Sequence, residues 1–100
     1  MERFKFVAYC FNVDPQYSSV RLLWKEQDTG SYYIDDVDTI AMNMMKIDAS
    51  VEPSEIYRSK LSEKAKEITM LEFLMGEVEY RGSRWKIQLM EKNQQGCIVL

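Results

Sequence analysis

The chain has 100 residues, 46% of them hydrophobic and 29% charged, with a formal net charge of −3: the profile of a globular protein with one core of its own. It has no histidine and two cysteines, Cys10 and Cys97, which removes His-based nucleophilic catalysis, His-ligated metals and the usual general base near neutral pH. No stretch approaches the about 18 uncharged apolar residues of a membrane span, and Met1 to Phe6 lacks the order of a secretory leader, so we expect one cytoplasmic domain over residues 1–100 with reduced thiols.

Arg3 to Val13, RFKFVAYCFNV, begins by alternating, with Phe4, Phe6, Ala8 and Cys10 on one face. It then turns apolar on both faces, as a strand does on moving from a sheet margin toward its middle. Asp14-Pro15 ends it, because proline brings no amide to the ladder. Residues 15–27 fit two patterns. Asp14 as a cap, Pro15 as first residue and Tyr17, Val20, Leu23 and Trp24 on one face describe a helix. A hairpin around Asp28-Thr29-Gly30 is preferred, because its turn residues and the flanking aromatic and β-branched residues agree.

From Asp35 the period changes. Val37, Ile40, Ala41, Met44 and Ile47 are spaced for a helix, and the aspartates before them suit its start through capping and the dipole. A long helix is predicted next, from about Pro53 to Met75. Tyr57, Leu61, Ala65, Ile68, Leu71 and Met75 mark one face, and Gly76 is placed to end it. Val78 and Tyr80, then Trp85, Ile87 and Leu89 alternating with Arg84, Lys86 and Gln88, predict a hairpin with one buried and one wet face around Arg81-Gly82-Ser83. Gln94-Gln95-Gly96 offers a last turn before a short strand, Cys97 to Leu100. The fold class expected is therefore α+β: an antiparallel sheet from N- and C-terminal hairpins, with one short and one long amphipathic helix on one face.

No nucleotide-binding glycine loop, metal-ligand spacing or nucleophile motif occurs, so no catalytic residue, cofactor or metal is assigned. A magnesium site on Asp35, Asp36 and Asp38 competes with helix capping and solvation. Met42, Met44, Met45, Met70, Met75 and Met90 are core fillers, with an adaptable groove as the other use of such side chains. Arg81, Arg84, Lys86 and Lys92 form a modest basic cluster beside Trp85, but glutamates interrupt it and nucleic acid is not the expected partner.

Charge is segregated: residues 26–56 hold eight acidic residues against Lys46 alone. Trp24, Glu26, Asp28, Tyr32, Tyr33, Asp35, Asp36 and Asp38 then suggest a contact surface where aromatics anchor and carboxylates steer a basic protein partner. The expected function is a small non-enzymatic protein-binding module that inhibits or modulates a larger macromolecule. In composition it resembles the small acidic inhibitors that phages and other mobile elements make against nucleic-acid-handling enzymes, a resemblance of strategy with no shared motif. Two alternatives remain: an adaptor prenylated at Cys97, since Cys97-Ile98-Val99-Leu100 fits a geranylgeranyl signal, which alone would bring it to a membrane; and a self-associating subunit.

Overall fold

The computed structural model describes residues 3–47 and 56–89. In chain order these form β1 (Phe4–Asn12), β2 (Val20–Glu26), β3 (Tyr32–Asp35), α1 (Thr39–Ile47), β4 (Tyr57–Arg58), β5 (Lys66–Ile68), α2 (Met70–Met75), β6 (Glu77–Tyr80) and β7 (Ser83–Leu89). All pairings are antiparallel, in the order β5-β3-β2-β1-β7-β6, with β4 added to the start of β1. The sheet curls into a nearly closed barrel. Across the remaining gap the Lys66 ammonium donates to the Glu79 carbonyl at 2.6 Å, and the Tyr80 hydroxyl donates to the Lys64 carbonyl at 3.0 Å.

Both predicted hairpins form. The β2–β3 turn closes through the Gly30 amide on the Glu26 carbonyl at 2.8 Å, with Gly30 at a φ of 78° that a side chain would strain. The β6–β7 turn needs only two residues, Arg81 and Gly82, both at positive φ, as a type I′ connection requires. The helical alternative for residues 15–27 is thereby excluded, since Val20–Glu26 pairs with strands on both sides.

The pairing of β1 with β2 carries a bulge. Phe6 lies opposite Trp24, but Ala8 lies opposite Leu23, so β1 holds one extra residue there. Beyond it the side chains change face. Phe4 and Phe6 pack with Leu22, Trp24, Ala41 and Ile56 on the outer face, while Ala8 and Cys10 join Leu23, Ile34, Val78 and Trp85 inside the barrel. The sheet is thus covered on both sides along β1 to β3, and each fully buried large side chain contributes about 1.5–3 kcal/mol.

The short helix is α1. Asp38 caps it, its carboxylate accepting from the Ala41 amide at 2.9 Å, and Ala41 is buried against the outer core. The long helix is overturned, and with it the α+β description: the chain is mainly strand, and α2 keeps only the last six residues of the predicted span. Tertiary partners claim the rest. Tyr57 and Arg58 pair with Lys5 and Phe4, the Ser62 amide and hydroxyl bind Asp35, and Lys66 to Ile68 pair with Tyr32 to Ile34. Thr69 then starts α2 with a capping box shared with Glu72, and Gly76 ends it at a φ of 77° as expected. Pro53, Cys97 and the Cys97 to Leu100 strand lie outside the described residues.

Candidate functional site

The eight residues of the expected acidic–aromatic surface do not share one exposed face. Trp24 and Asp35 are fully buried and Glu26 nearly so, Tyr32, Tyr33, Asp36 and Asp38 are half-buried, and Asp28 alone is exposed. The carboxylates hold the fold together. Glu26 takes the Arg3 guanidinium and the Thr29 hydroxyl, and the Arg3 bond holds it below the usual carboxylate range against the effect of burial. Burial, together with the charges of Glu67 and Glu26, pushes the Tyr33 phenol up.

Asp35, Asp36 and Asp38 lead to three different partners, which separates the residues of a magnesium site. Asp35 accepts from Ser62, at 2.8 Å from its amide, and from the Asp36 amide at 2.8 Å. Asp36 Oδ1 lies 2.8 Å from Arg21 Nε, whose guanidinium is stacked 4.5 Å from the centre of the Trp85 ring. Asp38 takes both terminal nitrogens of Arg58, at 2.9 and 3.2 Å. Arg58 is 4% exposed and lies over Trp24, so the pair fastens β4 to the start of α1. Among the described residues no three carboxylate or thiol side chains converge as a metal site. The inward-facing Cys10 is equally committed: burial pushes its thiol up to about 12.

The unspent feature is α2. Met70, Leu71, Leu74 and Met75 are 55–72% exposed and, at i, i+1, i+4 and i+5, share one side of the helix. Phe73 alone turns inward, its ring stacked on Tyr32 with centroids 4.1 Å apart. The capping box and the Gly76 cap close both ends of the helix, and this stack seats it between β5 and β6. Sequence periodicity does mark Leu71 and Met75 as one apolar stripe, but assigns that stripe, with Met70, to the core. Only the end of the helix at Thr69 shows that the stripe runs outward.

A concavity of about 440 Å³ opens between the β1–β2 connection and the β6–β7 turn, lined by Asn12, Val13, Asp14, Tyr17 and Arg84 among others. Its charges are balanced and already engaged: Arg84 Nε donates to Glu77 at 3.1 Å and Asp14 accepts from the Gln16 amide at 3.0 Å. No protein-family model, curated protein or solved structure matches the chain. The site is therefore read from its own chemistry.

Proposed function

We propose that the chain is a non-enzymatic module that binds another protein and modulates it, docking through the outer face of α2. One observation carries this: four large apolar side chains, more than half exposed, stand together on a helix capped at both ends and seated on Tyr32. Their joint area is on the order of a few hundred Å², the size of patch that on monomeric proteins commonly marks an interaction site. A face already folded as a capped helix needs little ordering on docking, so its burial goes largely into affinity. The acidic–aromatic surface is not carried forward as the contact, since Trp24, Glu26 and Asp35 are interior. Under this reading the module works in the cytoplasm. Among the described residues no helix is long and apolar enough to cross a membrane.

The test is capture from a host extract with the chain and with a Leu71→Ala/Leu74→Ala variant, followed by binding measurements on the purified partner. Affinity for the variant is expected to fall by about tenfold or more, as for central apolar anchors. Equal affinity for both would refute the role of α2.

A further inference from the structure

We infer that the outer face of α2 pairs with the same face of a second copy, so that the free protein is a two-fold dimer which another partner must open; the inference rests on the docking role proposed for that face. The exposed side chains of α2, MLEFLM, are the same read from either end: Met70 and Leu71, then Leu74 and Met75. They stand in two rows, Met70/Leu74 and Leu71/Met75, each pair one turn apart and the two leucines at the centre. A two-fold axis across the helix sets two copies antiparallel and lays each row against its own image. Met70 then meets Leu74 of the second copy and Leu71 meets its Met75, each contact occurring twice, so every apolar side chain finds an apolar one. The flexible methionines take up unevenness at the margins of such a contact.

The charges around the helix are engaged elsewhere. The Glu72 carboxylate accepts from the Thr69 amide at 2.8 Å in the capping box, Glu67 lies opposite Tyr33 in the β3–β5 register, Glu77 holds Arg84, and Lys25 lies over the Tyr32 ring. Such a face selects a partner surface that is itself apolar and uncharged, and the face itself meets that description. The overall charge of −3 opposes the approach of two copies only weakly, being screened beyond about 8 Å at physiological salt. Pairing by sheet edges fits worse, because the Lys66 bond to Glu79 and the Tyr80 bond to Lys64 close the gap beside α2. The four side chains offer on the order of 500 Å² per copy, or about 1,000 Å² for the pair, which with its rim reaches the low end of specific interfaces. The dimer is therefore one that dissociates in the micromolar range, within reach of a competing partner.

The experiment is sedimentation of the full chain from about 1 to about 500 μM. A monomer–dimer equilibrium with its midpoint on the order of tens of micromolar is expected, and it should not weaken when NaCl rises from about 50 to about 500 mM. Leu71→Ala/Leu74→Ala should raise the dissociation constant about tenfold or more, with the monomer still folded below the dissociation range. Met70→Glu and Leu74→Lys should each abolish pairing alone, although both suit the dipole of α2 and leave the helix intact. A mixture of those two chains should pair again, because the two-fold arrangement sets position 70 of one copy against position 74 of the other. A chain that stays monomeric throughout, a dimer unaffected by the Ala changes, pairing lost in high salt, or no recovery in the mixture would each overturn the inference. If pairing fails while a protein is still bound through Leu71 and Leu74, the docking role stands and the dimer falls; loss of both results removes both.

Discussion

Phe6 and Ala8 are two residues apart on one strand, yet they pack into cores on opposite faces of the sheet. The bulge between them is the cause, and it lets a run of alternating apolar residues serve two cores in turn. Deleting Val7 would leave Phe6 opposite Trp24 and Ala8 opposite Leu23 in uninterrupted pairing, with Ala8 and Cys10 still facing inward. A loss of about 1–3 kcal/mol is expected, from the half-buried Val7 side chain and the local twist of the bulge, with the cooperative urea transition retained. A deletion variant without a cooperative transition would show that Val7 is not the extra residue that sets the faces.

The Asp38–Arg58 pair makes stability fall in acid. Burial acts to raise the Asp38 pKa, but the Arg58 and Ala41 hydrogen bonds and the Arg58 charge outweigh it and hold it below its ordinary 3.8. A folded value below the unfolded one means the contribution is complete above about pH 4 and is lost as pH falls through the folded value. Thermal melts from pH 7 to pH 2 should therefore decline mainly below about pH 4, with Glu26 adding to the trend. Asp38→Asn should lose about 2–4 kcal/mol at pH 7, because Arg58 stays buried without its anion, and should decline less steeply in acid.

Alkali acts inside the barrel. Burial pushes Cys10 and Tyr80 up to about 12, with the charges of Asp36 and Asp35 reinforcing it at Tyr80. For acids raised in the folded state, stability is complete below the unfolded values, 9.0 and 10.0, and is lost as pH rises toward about 12. Melts between pH 8 and 11 should show this loss, with a shallower slope in Tyr80→Phe. In the native state Cys10 should also resist a thiol reagent that labels it rapidly in urea; fast native labelling would contradict its burial.

Stability and binding separate on α2. Leu71→Ala/Leu74→Ala removes exposed side chains and should change unfolding free energy by no more than about 0.5 kcal/mol per site. Phe73→Ala breaks the stack on Tyr32 and should cost about 1–2 kcal/mol, and Thr69→Ala about 1 kcal/mol through the lost cap. Chemical denaturation of the three variants checks this; a large loss from the Leu pair would show that those side chains are part of the core.

Local chemistry determined both hairpins, the capped start of α1 and the glycine that ends α2. In each, the signal lies in a few adjacent residues: Asp28-Thr29-Gly30, Arg81-Gly82, Asp38 and Gly76. Periodicity over longer stretches carried less. Tyr57, Leu61, Ala65, Ile68, Leu71 and Met75 keep helical spacing, yet Leu61 packs on the outer core, Ile68 on the inner one, and the last two face water. The acidic run was legible as charge but not as ties, since its partners Arg3, Ser62 and Arg58 lie 20 or more residues away. A sequence fixes spacing along the chain; the faces of a curled sheet, the place of a bulge and the distant donor of a buried carboxylate exist only once the strands have closed. That is why the turns could be read in advance, while the outward face of α2 emerged only from the fold that leaves it uncovered.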